Sequence, residues 1–157
     1  MQEVLTQFVR YLYLDVVDFT VKRSVESQTE IIDALNNIIR KSTAILPIRP
    51  DRIVFLPSGD GMGIALLDEI APYDVHIIGA VEILRQIKAH NIAQTDPMRR
   101  FEVRVGISQN VDNIITDING TKNVAGDGIN TAQRVMTVAG RSQIIVSQMV
   151  HETLSNT

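Results

Sequence analysis

The chain has 157 residues, enough for one hydrophobic core, and its 45% hydrophobic and 21% charged residues are those of an ordinary globular protein. A formal net charge of −3 provides no global basic field for nucleic acid, and three Tyr, four Phe and no Trp leave few platforms for stacked bases. The absence of Cys excludes disulfides and thiolate metal sites and fits a reducing compartment.

In chain order, Met1–Arg10 lacks the basic start, apolar run and small-residue cleavage site of a signal peptide. No apolar stretch approaches the roughly 18 residues that span a bilayer, so a cytoplasmic protein with no membrane partner is expected. Tyr11–Thr20, with Tyr, Leu and Val crowded together, predicts a strand covered on both faces. Asp15 in that strand is costly without a charged partner, unless it stands at the strand end, where the chain reaches water. Ser27-Gln-Thr-Glu30 has the spacing of a capping box, and Ile31, Ile32, Leu35, Ile38 and Ile39 form one helical face that fades near Ala44, before Pro47 and Pro50. Arg52–Leu56 and Met62–Leu67 read as two strands of a hairpin, joined by the tight turn Ser58-Gly-Asp-Gly61 with Asp60 at its tip.

A second helical period runs from Pro72 to about Ala93. Phe101–Ile107 alternates as a strand, and Val111–Ile118 predicts another, closed by the turn dipeptide Asn119-Gly120. Gly126-Asp-Gly128 leads into a helix from Ile129 to about Ala139, stopped by Gly140. Gln143–Ser147 is a last strand, and Ser147 is suited to cap a short final helix. The order β-α-β-β-α-β-β-α-β-α contains the ferredoxin-like plan, an α+β fold with helices on one face of an antiparallel sheet, here in a single domain spanning residues 1–157. That plan puts the first strand in the middle of the sheet, next to the hairpin, and brings Asp15 to Asp60.

Two acids meeting at a sheet end repel unless a cation lies between them. With no Cys and only His76, His90 and His151, all in helical segments, a hard oxygen-liganded ion is expected, Mg²⁺ or Mn²⁺. Two carboxylates and a few backbone carbonyls leave coordination positions open for a triphosphate.

Four motifs, in order over residues 11–146, resemble those of class III nucleotide cyclases. Asp15-Val-Val-Asp-Phe-Thr20 resembles the family's Asp-Ile-x-x-Phe-Thr, and Gly59-Asp60 its Gly-Asp hairpin. Arg104-Val-Gly-Ile107 resembles its Arg-x-Gly-Ile strand, and Gly126–Arg134 its Gly-x-x-Val-Asn-x-x-x-Arg helix. The resemblance implies two divalent cations, Mn²⁺ or Mg²⁺, on Asp15 and Asp60, with the Val16 carbonyl as a further ligand. It implies phosphate on the amides of Val17, Asp18, Phe19 and Thr20, beside Gly59, with Asn130 orienting the ribose and Arg134 stabilising charge on the α-phosphate. The side chain of Asp18 stands where the family often has Gly and is read as a surface or turn residue. The metal acids and the Asn/Arg pair that face one substrate come from different subunits in this family, which implies a head-to-tail homodimer with shared sites; the acidic balance and scarce aromatics argue against a nucleic-acid partner.

The base-reading positions depart from the family pattern. Family adenylate cyclases have a Lys three residues before the hairpin Gly and an Asp seven before the helix Asn; here those positions hold Leu56 and Asn123. Leu56 offers no hydrogen bond, whereas the Asn123 amide carries a donor and an acceptor, which suits uracil and is compatible with cytosine. With Arg-Ser-Val-Glu over residues 23–26, the chain resembles the pyrimidine cyclases of bacterial anti-phage (Pycsar) systems. The resemblance implies UTP as substrate and the messenger 3′,5′-cyclic UMP as product; base reading by Arg52 or Arg49 is the alternative. An adenylate or guanylate cyclase with an atypical base pocket is a second reading. An inactive cyclase-homology dimerisation module is a third, and retention of Asp15, Asp60, Asn130 and Arg134 speaks against it. Family domains usually continue past the last helix into a hairpin with a basic phosphate contact; this sequence ends at Thr157, so either that contact comes from elsewhere, such as Lys22 or Arg23, or the triphosphate is held less firmly.

Overall fold

Period-two alternation along the first strand sets up two cores. In the computed structural model, which describes residues 4–156, strand β1 spans Leu5–Val16. Leu12, Leu14 and Val16 face one apolar cluster, and Val9, Tyr11 and Tyr13 face another. Both faces of this strand are therefore covered, as its composition predicts. Helices α1 (Val25–Ala44) and α2 (Val75–Ala93) cover the first face, joined by Val150 of α4 (Gln148–Ser155). Helix α3 (Asp127–Met136) covers the second face through Ala132 and Met136. The expectation of helices on one face holds for α1 and α2, and α3 departs from it.

The other strands are β2 (Ile53–Ser58), β3 (Gly61–Leu66), β4 (Val103–Thr116), β5 (Lys122–Ala125) and β6 (Ile144–Val146). They lie in the order β2-β3-β1-β4-β5, with β6 paired to β4 in parallel and the other neighbours antiparallel. β1 is central and adjacent to the β2–β3 hairpin, as the ferredoxin-like plan requires. No described helix is long and apolar enough to cross a membrane.

Three local expectations are corrected. Helix α1 starts one turn early, because the Ser24 hydroxyl accepts the Ser27 amide at 3.1 Å and so caps the helix in place of Ser27. Helix α3 ends at Met136 and not at Gly140; the Thr137 amide closes the last turn on the carbonyls of Gln133 and Arg134. The two strands expected over 101–118 are one strand, β4. The polar residues between them are buried with partners: Ser108 donates to the Gly128 carbonyl at 2.5 Å, and Gln109 bonds Thr153 at 2.8 Å. Asn119-Gly120 does form a turn, leading to the short β5; Gly120 has φ 73° and the Asp117 carboxylate accepts the amides of Asn119 and Thr121.

Helix α3 is seated by two contacts that only small or buried residues allow. A Cβ on Gly106 would lie 2.1 Å from the Ala132 carbonyl oxygen, so β4 and α3 approach backbone to backbone there. At the helix start, buried Asp112 accepts the Tyr11 hydroxyl at 2.6 Å and the Gly128 amide at 3.0 Å. A carboxylate at a helix N-terminus is stabilised by the amides pointing at it.

Candidate active site

The register places Asp15 opposite Gly61 on one side and Arg104 on the other. Gly59 and Asp60 form the two-residue turn between β2 and β3, with Gly59 at φ 55°, the positive φ such a turn needs at its first central residue. The Asp60 carbonyl accepts the Val16 amide at 3.1 Å, tying the hairpin tip to the end of β1. Asp15 and Asp60 thus meet at one sheet end, as the topology predicts.

Asp15 also has a protein partner. Its carboxylate takes Nε of Arg104 at 2.8 Å and Nη2 at 3.1 Å, a bidentate pair between cross-strand neighbours on the same face. The third arm, Nη1, donates to the Thr137 carbonyl at 3.2 Å, linking the acid corner to the end of α3. The Asp15 carboxylate, with help from the charge of Asp60, holds the Arg104 guanidinium above its ordinary pKa. Arg104 thus joins Asp60 beside Asp15, a partner that strand order alone does not identify.

The donor chemistry fits a hard divalent ion. The acids at this corner are oxygen donors, and the described residues contain no cluster of three or more His, Cys, Asp or Glu that could saturate a metal. An ion on Asp15 and Asp60 would complete its shell with backbone, substrate and water oxygens, and would have to part Asp15 from Arg104.

Residues 17–20 form a turn beside these acids. The Val17 amide is already donated to the Glu102 carbonyl at 2.9 Å, so the expectation that it receives phosphate is corrected. The amides of Asp18, Phe19 and Thr20 have no partner among the described residues. Arg23 holds the turn from behind, donating to the carbonyls of Asp18 at 2.7 Å, Phe19 at 3.2 Å and Arg100 at 3.1 Å. That commitment leaves Arg23 a scaffold residue, and Lys22 does not line the cleft. Asp18 adopts φ 51°, a left-handed conformation that explains why Gly suits this position, and its carboxylate pairs with Arg141. Asp15, Asp60, the 17–20 turn, Arg104 and Arg141 together line a cleft of about 540 Å³. No pattern in the sequence singled out Arg141, which reaches the cleft from the turn between α3 and β6.

Asn130 and Arg134 lie exposed on α3, one turn apart, and Arg134 donates to the Thr131 hydroxyl at 3.1 Å. Neither lines the cleft of Asp15 in the same chain. Leu56 is half-buried and packs on the same cluster as Ile129, the residue before Asn130. In β5, Val124 enters that cluster, so Asn123 points to the opposite side of the strand. Its Oδ1 accepts the Val124 amide at 2.7 Å and its Nδ2 donates to Asp117 at 3.4 Å. None of the described clefts is lined by both Leu56 and Asn123. Arg52 precedes β2, at the end of the sheet away from Asp60, and lines another cleft with Arg49 and Asp68.

No protein-family model matches the chain. No curated protein matches it in sequence either. Solved structures do share its fold. The dimeric guanylyl cyclase domain of the RhoGC fusion protein from the aquatic fungus Blastocladiella emersonii superposes with a TM-score of 0.73 at 20% identity, over 99% of this chain and 88% of that one. The adenylyl cyclase CyaB from P. aeruginosa gives 0.74 at 14% identity, over 99% and 84%. The guanylate cyclase domain of RhGC from Catenaria anguillulae, in complex with GTP, gives 0.72 at 18% identity, over 97% and 84%. At these identities the likeness establishes the fold: an antiparallel sheet with packed helices, that of the class III nucleotide cyclases.

Proposed function

We propose that this chain is a nucleotide cyclase that converts a nucleoside triphosphate, with UTP preferred, into its 3′,5′-cyclic monophosphate and pyrophosphate. The observation that carries this reading is the acid corner itself. Asp15 and Asp60 meet at a sheet end beside three unpartnered amides, in a fold that cyclase domains share. Such a corner is suited to a polyphosphate: amides receive its oxygens and the acids hold the counter-ions.

In the reaction, the ribose 3′-oxygen forms a bond to the α-phosphorus while the bridging bond to the β-phosphate breaks. The hydroxyl proton leaves to water and pyrophosphate departs. Two divalent cations held by Asp15, Asp60 and the Val16 carbonyl would assist hydroxyl ionisation and neutralise charge on the leaving pyrophosphate. The amides of Asp18, Phe19 and Thr20 receive phosphate oxygens, and Arg104, once parted from Asp15, keeps a guanidinium beside them. Asn130 orients the ribose, and Arg134 stabilises charge growing on the α-phosphate. Because Asn130 and Arg134 stand outside the cleft of their own chain, the reading requires a second copy, whose α3 faces the substrate of the first.

The choice of UTP rests on Leu56, which has nothing to bond a purine edge, and on the amide of Asn123. For Asn123 to read a base, it must exchange its long contact to Asp117 for the pyrimidine. Resemblance of the motifs to the anti-phage pyrimidine cyclases supports a messenger role for the product. Turnover measured with each of the four nucleoside triphosphates in Mn²⁺ tests the reading: UTP should be cyclised fastest, and a chain that cyclises none is no cyclase. Shared sites are tested by mixing an Asp60→Ala chain with an Arg134→Ala chain. Each alone should be inactive and the mixture active; a mixture that stays inactive while both chains dimerise rules out sharing.

A further inference from the structure

We propose that Arg141 is the movable cation that binds the terminal phosphates of the substrate, and that Asp18 is the latch that holds it until a phosphate takes its place. The proposal rests on the triphosphate reading above. Two guanidinium groups line the cleft, and their settings differ. Arg104 is 31% exposed and fixed on three sides, by both oxygens of Asp15 and by the Thr137 carbonyl. Arg141 is 58% exposed, and its partners are the exposed carboxylates of Asp18 and Glu102, the latter at 3.5 Å. Exposed pairs of this kind hold only weakly, so a polyphosphate, with more charge and more acceptor oxygens, displaces the carboxylates readily.

The backbone beneath Arg141 is fixed, while its side chain is held only by those two exposed carboxylates. The Ser142 amide donates to the Val103 carbonyl at 2.8 Å, and the Gln143 side chain accepts the Gly140 amide at 2.7 Å. Left-handed backbone on a residue other than glycine occurs at one end of the ion pair, Asp18 at φ 51°, and next to the other, at Ser142 with φ 56°. Such conformations persist where surrounding structure imposes them, and they gather at ligand clamps. The unpartnered amides of Asp18, Phe19 and Thr20 belong to the turn that carries the latch, so a phosphate seated on them meets Arg141 where Asp18 now does.

The test is calorimetric titration of the full chain in Mg²⁺ with 3′-deoxyuridine triphosphate, which has no 3′-hydroxyl to cyclise, and separately with inorganic tripolyphosphate. Arg141→Ala should weaken both about tenfold, and Arg141→Lys should keep part of the affinity. Asp18→Asn should tighten both about two- to fivefold, by removing the competing carboxylate. Opposite signs at the two ends of one ion pair are a result that misfolding does not produce. In turnover, Arg141→Ala should raise KM more than it lowers kcat. If the wild-type chain binds and cyclises but Arg141→Ala binds equally well, the clamp is wrong and the cyclase reading stands. If the wild-type chain binds neither ligand and cyclises no nucleotide, both fall together.

Discussion

Asp15 and Arg104 face each other across neighbouring strands, so the charge that makes Asp15 tolerable in an apolar strand is the one the proposed metal ion would have to displace. This has a thermodynamic consequence. Arg104→Gln leaves Asp15 and Asp60 without a cation and should cost the metal-free chain about 1–3 kcal/mol, the range for a charged hydrogen-bonded pair. The same variant should gain more from added Mn²⁺, because the ion no longer competes with a guanidinium. Thermal melts with and without Mn²⁺ measure both effects; an unchanged Mn²⁺ shift would show that Arg104 and the ion do not compete. Asp15→Asn should abolish turnover in a chain that still folds, whereas Asp18→Asn should leave it largely intact. The meeting of Asp15 with Asp60 was legible in the sequence because it follows from strand order alone. The pairing of Asp15 with Arg104 depends on register to the residue, and that of Asp18 with Arg141 on the shape of a turn, neither of which hydrophobic periodicity encodes.

Helix α3 carries Asn130 and Arg134, and its seat on the sheet decides where they point. Gly106 lets the helix backbone rest on β4, so Gly106→Ala forces a methyl to within 2.1 Å of the Ala132 carbonyl oxygen. Backbone cannot yield there as a flexible side chain would. The expected loss is about 1–3 kcal/mol, read from urea denaturation. Tyr11→Phe acts at the other end of the helix: it strips the buried Asp112 carboxylate of its 2.6 Å hydroxyl donor, at about 1–3 kcal/mol. If denaturation midpoints of both variants match the wild type, α3 is not seated by these contacts. Most elements were legible because apolar residues recur at strand or helix spacing. The continuity of β4 was not: Ser108 and Gln109 read as a break between strands, and only tertiary partners, Gly128 and Thr153, make them strand residues. Helix α3 overran for a related reason. Its apolar spacing continues past Met136 while the chain has already closed its last turn at Thr137.

Across the whole molecule, a second buried polar group lies beside the middle of β1, where Gln109 pairs with Arg10. His76 opens α2, is fully buried, and shares a hydrogen bond of 3.1 Å with Gln109, which in turn holds Thr153 of α4. The Asp74 backbone lies close to the ring, and Arg10 is buried nearby. Burial, reinforced by the charge of Arg10 and opposed by Gln109 and Asp74, pushes the pKa of His76 down to about 4 from 6.5. In the unfolded chain the imidazole takes up a proton as pH falls through 6.5; in the folded chain it does so only near 4. The unfolded state therefore binds more protons between these values, and stability present above pH 6.5 is lost as pH falls towards 4. The full difference is about 3 kcal/mol at 1.36 kcal/mol per pKa unit. Carboxylates titrate at the lower edge of the same window, so the readout is a comparison of wild type with His76→Gln, a variant that keeps a donor for Gln109. Urea denaturation from pH 7.5 to 4.5 should give a curve that falls for the wild type and is flatter for the variant. Parallel curves would mean that His76 takes up its proton in the folded chain without penalty, and that the contact between α2, β4 and α4 does not sense pH.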